Sequence, residues 1–365
     1  MIIEEQTIKL TQYSHGAGCG CKISPQILEE ILSGSFAVPD NKSLLVGNHS
    51  KDDAAVYNMG NGTAIISTTD FFMPVVDDPF EFGRIAGANA ISDVYAMGGK
   101  PLLAIAILGW PVNKLPPNIA RRVIEGGRSI CAEAGIPLAG GHSIDSPEPI
   151  FGLAVNGVVD IKNIKQNSTA KAGDILYLTK PLGVGILTTA EKKGLLKPGH
   201  AGAAASQMMQ LNKIGEALGK MNTVSAMTDV TGFGLFGHLT EMAEGSNLSA
   251  VIPDMALIPL INNDLQYYIY NQCVPGGTQR NWDSYGHKIS ISNIVKEKNE
   301  MVKCILADPQ TSGGLLIAVA PGAAKEVELL LKEYNLEKHL TPVGYFTEKE
   351  KMTVSVQNGD RFDIS

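Results

Sequence analysis

Apolar and polar residues follow patterns that predict a mixture of strands and helices in the first half of the chain. Residues 64–70 alternate as in a strand, 102–108 form a buried apolar run, and 150–159 are again predicted to be extended. Apolar residues recur at helical spacing over 80–97 and 118–134. Because the elements follow no strict strand-helix-strand rhythm, we expect an α+β protein with mixed or antiparallel sheets and flanking helices.

The second half of the chain repeats the mixture. Helical patterns occur at 184–193, 201–220 and 235–244, and a strand followed by a helix is predicted within 314–334. A polar, lysine-rich stretch at 162–173 is the candidate domain boundary. The predicted units are a flexible Gly-rich leader at 1–50, an N-terminal α+β domain at 51–168 and a C-terminal α+β domain at 169–365.

Composition narrows the class of protein and its compartment. The chain has 365 residues and a net charge of −7 without a basic block, so a nucleic acid would be repelled. Apolar runs such as 102–110 are shorter than the ~20 residues that span a bilayer, and the N-terminus lacks a signal core. The chain has five cysteines, an odd number, so the disulfide framework of a secreted protein is a poor explanation for them. We expect a cytoplasmic enzyme with no membrane or nucleic-acid partner.

Two polar residues lie on a helical face that should be buried. Asn89 and Asp93 share the apolar stripe of Ile85, Ala86 and Met97 in the helix predicted at 80–97. A buried carboxylate must be paired or must bind a metal ion. The stripe therefore marks Asp93 as a candidate ligand.

Further aspartates follow the same logic. Asp52 and Asp53 are adjacent and precede an apolar strand pattern, Asp70 ends a predicted strand, and Asp229 precedes a helix start. Adjacent carboxylates repel each other unless a cation is near. Hard oxygen ligands without clustered His or Cys favour Mg²⁺, which in proteins usually bridges nucleotide phosphates. Each aspartate taken alone could equally be a helix cap or a salt-bridge partner.

Glycine-rich segments are the candidates for phosphate loops, because amide groups must approach phosphate oxygens closely. Gly140–Ser143, Gly183–Gly185 and Ser312–Gly314 qualify, although two glycines more often form an ordinary turn. No P-loop is present, because Gly98-Gly-Lys100 lacks the first glycine at the required distance. Gly232–Gly237 matches the dinucleotide fingerprint only as a string, since no convincing apolar strand precedes it.

The leader combines a thiol and a cation. Cys19 lies three positions before Lys22, and a nearby ammonium group favours the thiolate. The same lysine could hold a phosphate as a point charge. The alternative is that Cys19, Cys21 and His15 form part of a metal site, although a structural zinc needs four ligands and no second Cys/His pair is evident.

These motifs together resemble the selenophosphate synthetase family from about residue 10 to the C-terminal region. The segments that carry the resemblance are Leu10–Lys22, Ser67–Phe72, Gly140–Ser143, Met227–Gly234 and Asp308–Gly314. The leader is specific to that family. The other segments resemble a wider ATP-binding superfamily that includes aminoimidazole ribonucleotide synthetase and thiamine monophosphate kinase, and the resemblance implies their two-domain architecture.

The resemblance implies roles for particular residues of this chain. It implies that Cys19 is the reactive thiol and that Lys22 is a second catalytic residue. The magnesium ligands that it implies are Asp53, Asp93 and Asp229. The residues that it implies to contact ATP are Lys22, Ser50, Lys51, Asp52, Asp70, Asp93, Gly141, His142 and Ser143.

The implied reaction converts ATP, selenide and water into selenophosphate, phosphate and AMP, in a homodimer with nucleotide sites near the subunit interface. Selenophosphate would then be the selenium donor for selenocysteine and selenouridine synthesis. The reaction needs Mg²⁺ and a cation such as Lys22, because an anionic selenide must approach the negative triphosphate. Two alternatives remain at this point: a related ATP-using enzyme with another substrate, or a nucleotide or metal sensor using Cys19 and Cys21.

Overall fold

A computed structural model of the chain describes residues 8–23, 27, 30–31, 41–47, 52–292 and 296–357, with the backbone alone at residues 19, 21, 296 and 297. The strands are β1 Leu44–Val46, β2 Ala55–Asn58, β3 Thr63–Phe72, β4 Lys100–Trp110, β5 Leu138–Asp145, β6 Ile150–Asp160, β7 Ile175–Leu178, β8 Val224–Asp229, β9 Leu248–Ile252, β10 Ile289–Ile291, β11 Leu315–Val319, β12 Gly344–Glu348 and β13 Val354–Val356. The α-helices are α1 Pro79–Ala96, α2 Pro117–Glu133, α3 Val184–Lys192, α4 Ala203–Met208, α5 Ile214–Gly219, α6 Gly234–Gly245, α7 Leu265–Tyr270, α8 Gly276–Tyr285, α9 Lys296–Leu306 and α10 Ala324–Glu333.

The strands form two sheets, one in each half of the chain. The first has the order β1-β2-β3-β6-β4-β5 and is antiparallel except where β4 pairs with β5. The second has the order β10-β13-β9-β12-β7-β11-β8 and is parallel only at β10-β13 and β13-β9. Mixed sheets with flanking helices confirm the predicted α+β class. Because β1 pairs with β2, residues 44–46 belong to the first sheet, although the sequence places them in the leader.

Helix α1 is the central element and is buried on nearly every side. It begins after Asp78, whose side chain accepts hydrogen bonds from the backbone N–H groups of Phe80 and Glu81. It packs against β3 and β6 of the first sheet and also contacts β8, α4 and α5 of the second half. The face of α1 that carries Asn89 and Asp93 is buried, as predicted. The opposite face of this helix is largely buried as well.

Glycines allow α1 and α2 to approach each other with their backbones in contact. A Cβ atom at Gly83 would lie 1.9 Å from the carbonyl oxygen of Val123, and one at Gly126 would lie 2.0 Å from that of Phe80. No side chain fits at either position. The two glycines therefore determine where α1 packs against α2. The position of α1 in turn places the polar residues of its buried face.

Three local predictions from the sequence are wrong. The helical pattern at 201–220 forms two short helices, α4 and α5, because between them Asn212 uses its side-chain amide to bond Ser92 Oγ and the carbonyl of Gly313. Residues 140–143, which the sequence suggested as a glycine-rich loop, are part of strand β5. A buried strand, β8, does precede Gly232, although its antiparallel pairing with β11 is not that of a dinucleotide-binding fold.

Within the part of the chain described here, no helix is both long and apolar enough to span a bilayer. The sequence also has a short helical pattern at 25–32, and these residues lie largely outside the described part of the chain. The predicted domain limits at 50 and 168 remain predictions.

Candidate active site

Four predicted aspartates from distant parts of the sequence influence one another in the folded chain. Asp53 lies just before β2, Asp70 in β3 and Asp93 in α1, whereas Asp229 ends β8 in the second sheet. Burial raises the pKa of Asp93 well above its usual value, and the charges of Asp229, Asp70 and Asp53 raise it further. Such mutual repulsion requires the carboxylates to be close together in a poorly solvated place.

Asp53 is held at this place by a threonine from the other half of the chain. Its Oδ1 accepts a hydrogen bond of 2.9 Å from Thr228 Oγ1. Burial and then the charge of Asp229 raise the pKa of Asp53 well above its usual value. The contact joins the start of β2 to the end of β8, so the site spans both halves of the chain.

Asp93 and Asp229 have similar anchors. Thr68 Oγ1 donates a 2.5 Å hydrogen bond to Asp93 Oδ2. Burial raises the pKa of Asp229 to about 6, against a hydrogen bond with the Ser92 side chain and the positive charge of Lys22, which both lower it. Ser92 and Asp93 are neighbours on α1. One turn of this helix therefore carries Asp93 and also contacts Asp229 through the side chain of Ser92.

The site fits a hard divalent cation shared with phosphate oxygens. Oδ2 of Asp53 and Oδ2 of Asp229 are buried and accept no hydrogen bond from any described residue. Orphaned buried carboxylate oxygens are what Mg²⁺ would satisfy. Within the described ranges, no group of three or more His, Cys, Asp or Glu residues could hold an ion by itself. Such a cation therefore needs further oxygen ligands, as Mg²⁺ bound to a nucleotide has.

Lys22 reaches the acidic site from the leader. Its Nζ lies 3.6 Å from Asp70 Oδ1, and 39% of the Lys22 side chain remains exposed. Asn89 Nδ2 donates a 2.5 Å hydrogen bond to Asp70 Oδ2, and Asn89 Oδ1 accepts one of 2.7 Å from the backbone N–H of Ser312. The amide side chain of Asn89 therefore links the carboxylate that meets Lys22 to the turn before β11.

Lys180 is a buried lysine that the sequence did not indicate. Its Nζ donates to the carbonyl oxygens of Gln210 and Ser312, each at 2.7 Å. Burial lowers the pKa of Lys180 to about 7, an effect that the charge of Asp229 partly opposes. Ser312, which it holds, has a φ of 49° that is uncommon for a residue with a side chain. Lys180 and Asn89 thus fix the same strained turn from opposite halves of the chain.

The remaining predicted residues of the leader and of its neighbourhood are only partly described. Cys19 lies in the 3₁₀ turn Gly18–Cys21 next to Lys22, but its side chain is outside the described part, as are Ser50 and Lys51. Asp52 Oδ1 accepts a 2.7 Å hydrogen bond from the backbone N–H of Asn167. His15 Nδ1 lies 2.9 Å from Glu148 Oε2, so this histidine contacts a carboxylate of the first domain.

Gly141, His142 and Ser143 lie apart from the aspartates within one chain. They are exposed on the edge strand β5. The register aligns Asp70 with Leu153, then Ala106, then Gly141 across three strand spacings. At the usual spacing this separates Gly141 from Asp70 by about 14 Å. Their contact with ATP therefore remains a prediction, and it would need a ligand or a second subunit to bridge the distance.

Two of the glycine-rich segments suggested as phosphate loops have other roles. The N–H groups of Gly183 and Val184 donate to Gln310 Oε1, and that of Gly185 donates to Asp308 Oδ2 at 2.9 Å. The protein's own side chains thus occupy the amides at the start of α3. A Cβ at Gly314 would lie 2.3 Å from the backbone nitrogen of Lys180, so that glycine serves close packing.

Sequence comparisons identify the family. Residues 51–159 match the profile "AIR synthase related protein, N-terminal domain", and residues 171–357 match the corresponding C-terminal domain. A selenide, water dikinase of Aeromonas salmonicida is 61% identical over 338 residues, which are 93% of this chain and 95% of that protein. Its counterpart in Photorhabdus laumondii is 58% identical over 96% of this chain and 98% of that protein.

The chain belongs to the selenide, water dikinase family. This confirms the resemblance seen in the leader and the aspartate motifs.

Solved structures confirm the fold at much lower identity. Thiamine-monophosphate kinase from Stenotrophomonas maltophilia superposes with a TM-score of 0.63 at 18% identity, covering 87% of this chain and 92% of that one. A chain of a HypE–HypF complex gives 0.66 at 16% identity, covering 91% and 96%. These similarities show the two-domain AIR synthase-like architecture that the sequence predicted.

Proposed function

We propose that the chain uses ATP to phosphorylate selenide, giving selenophosphate, phosphate and AMP. Of the two terminal phosphoryl groups of ATP, one would pass to selenium and the other to water. Membership of the selenide, water dikinase family supports this reaction. The observation that carries the proposal is the meeting of Asp53, Asp93 and Asp229 with the Lys22–Asp70 pair at the edge of the leader.

The acidic cluster suits the metal-bound triphosphate that such a reaction needs. Asp53, Asp93 and Asp229 would hold Mg²⁺, which when bound supplies charge neutralisation at the phosphate oxygens. The chain itself positions these carboxylates through Thr228, Thr68 and Ser92. Pre-set ligands lower the cost of organising the site when the nucleotide arrives.

Lys22 and Cys19 would complete the site from the leader. Lys22 can exchange its 3.6 Å contact with Asp70 for a phosphate oxygen, because the pair is partly exposed and therefore weak. We assign to Cys19 the handling of selenium rather than an attack on phosphate, since a soft thiolate matches soft selenium. Replacement of Cys19 by Ser should then abolish selenide-dependent turnover, and retention of full turnover would withdraw this role.

We propose further that the active form is a homodimer. The first sheet carries helices α1 and α2 on one face, whereas the strands β3, β4 and β5 expose the apolar side chains of Phe71, Leu103, Ile105 and Ile144. A second copy placed on this surface would cover those side chains. It would also bring a second edge strand with Gly141–Ser143 toward the acidic site.

A cytoplasmic location is the last part of the proposal. Cys131, Cys273 and Cys304 are free thiols, as is usual in a reducing compartment.

Phosphorus NMR of the purified protein with ATP, Mg²⁺ and selenide under anaerobic conditions tests the reaction. We expect a selenophosphate resonance together with equal amounts of AMP and phosphate, all dependent on selenide. ADP as the stable product, or AMP formation that does not depend on selenide, would contradict the proposal and favour a related ATP-using enzyme. The Asp160→Asn variant serves as a control, because Asp160 is an exposed aspartate at the end of β6.

A further inference from the structure

The leader is fastened to the first domain by several contacts. Thr11 Oγ1 donates a 2.6 Å hydrogen bond to Asp77 Oδ1, and the backbone N–H of Gly18 donates one of 3.1 Å to the carbonyl of Met73. His15 meets the carboxylate of Glu148. These contacts hold the early part of the leader, and none of them acts on the backbone between Cys19 and Lys22.

That turn is held by a residue of the second domain. Arg280 Nη2 donates a 2.8 Å hydrogen bond to the carbonyl oxygen of Gly20. Arg280 lies in the first half of helix α8 and is itself exposed. The bond joins positions 260 residues apart in the sequence.

Around this hydrogen bond, the turn packs against Pro309 and the start of helix α8. The ideal Cβ position of Gly20 lies 3.7 Å from Pro309 Cβ, an ordinary packing contact. A Cβ at Gly277 would lie 2.6 Å from Pro309 Cγ, so only glycine lets the start of α8 approach the proline and Gly20 this closely. The helix that carries Arg280 is thus packed directly beneath the leader.

The hydrogen bond between Arg280 and Gly20 lies close to the residues proposed to react. Gly20 lies between Cys19 and Cys21, two residues before Lys22, and the 3.6 Å Lys22–Asp70 contact is partly exposed and weak. A hydrogen bond from a charged donor is stronger than a neutral one. Arg280 is therefore a cross-domain contact placed to affect how firmly the turn is held against the site.

We propose that Arg280 is a positioning residue that holds the Cys19–Lys22 turn closed over the active site. Its catalytic consequence rests on the proposed function, whereas its effect on the position of the leader does not. Because Arg280 is exposed and outside the core, its replacement should loosen the leader without unfolding the protein.

The test compares three variants. Arg280→Gln removes the charge and the guanidinium fork, and Arg280→Lys keeps a cationic donor on a flexible stem. Arg121→Gln is the matched control, because Arg121 is an exposed arginine of helix α2. The thermal midpoints of all three variants should stay within about 2 °C of the parent, as for surface substitutions generally.

The first measurement is hydrogen exchange of the peptide covering residues 10–22, with Mg²⁺ and ATP but without selenide. We expect exchange in Arg280→Gln to be about tenfold faster than in the parent, with Arg280→Lys between them and Arg121→Gln unchanged. A tenfold change corresponds to about 1.4 kcal/mol. Equal protection in Arg280→Gln and Arg121→Gln would overturn the proposal.

The second measurement is steady-state turnover. We expect kcat of Arg280→Gln to fall about tenfold while KM for ATP changes less than about twofold, with partial recovery in Arg280→Lys. An unchanged kcat in Arg280→Gln, or a rise in KM for ATP alone, would overturn the positioning role. If the parent makes no selenophosphate, the proposed function fails, and the exchange measurement still decides whether Arg280 holds the leader.

Discussion

At the scale of single residues, the site is a set of carboxylates placed where they cost stability. Burial and mutual repulsion raise the pKa of Asp53, Asp93 and Asp229 above their ordinary values. Only partial compensation comes from Thr228, Thr68 and Ser92. Such an arrangement is typical of a functional site, where stability is given up for binding.

Replacing one of these carboxylates should separate stability from activity. Asp229→Asn keeps the shape and removes a buried charge, so we expect the metal-free protein to gain about 1–2 kcal/mol in its free energy of unfolding. Selenide-dependent turnover should fall by about 100-fold or more, because a proposed magnesium ligand is lost. Thermal denaturation and AMP formation measure the two effects. Destabilisation with normal turnover would show that Asp229 is only structural, and Asp160→Asn should change neither quantity.

The raised pKa of Asp229 also predicts a pH dependence. Its folded-state pKa of about 6 exceeds the ordinary value of 3.8, so the folded protein binds the proton more tightly than the unfolded chain does. Its contribution to stability is then complete below about pH 4 and is lost as the pH rises through about 6. Denaturant titrations without Mg²⁺ should therefore show the advantage of Asp229→Asn growing from pH 4.5 to pH 7. A constant difference between the variant and the parent would contradict the assignment.

At the scale of elements, the crossing of α1 and α2 determines where the polar face of α1 lies. The two helices touch through Gly83 and Gly126, and the same helix carries Asn89, Ser92 and Asp93. A shift of α1 would move the residues that contact Asp70 and support Asp229.

A methyl group at this crossing should therefore damage both packing and catalysis. Gly126→Ala would place a Cβ 2.0 Å from the carbonyl oxygen of Phe80, and we expect a loss of about 1–3 kcal/mol in the free energy of unfolding. Turnover of the remaining folded protein should also fall. Gly322→Ala is the control, since no atom lies within 4 Å of the new methyl group. Equal denaturation midpoints for the two variants would refute the role of the crossing.

At the scale of the whole molecule, the described residues of one chain leave an apolar face of the first sheet exposed. The proposed dimer would bury it and could bring the partner's edge strand within reach of the nucleotide. Within one chain, Gly141 is separated from Asp70 by about 14 Å. The proposed dimer therefore bears on activity, because a partner's edge strand would bridge this distance.

A charge on that face should prevent association. Ile144 is 60% exposed on β5, next to Ser143, and Ile144→Lys should yield a monomer with reduced turnover because burying an unpaired ammonium is costly. Leu329 is 61% exposed on helix α10, and Leu329→Lys is the matched control that should leave assembly unchanged. Analytical ultracentrifugation distinguishes the cases. A parent protein that sediments as a monomer, or a dimeric Ile144→Lys variant, would contradict the proposed interface.

The sequence by itself determined the features that depend on local pattern. The alternation at 64–70 and the helical spacing at 80–97 predicted β3 and α1 closely, because each element shows its burial in consecutive residues. The aspartates were found because a charge on an apolar stripe conflicts with burial, and the leader motif indicated the family.

Only the tertiary structure decided which distant groups meet. Lys180 carries no local sign of burial, and the break at Asn212 depends on hydrogen bonds to Ser92 and Gly313 from elsewhere in the chain. The contact between Arg280 and Gly20 likewise spans 260 positions. Such pairings depend on how the two sheets and α1 pack, and the free energy of that packing is shared among contacts that no short stretch of sequence contains.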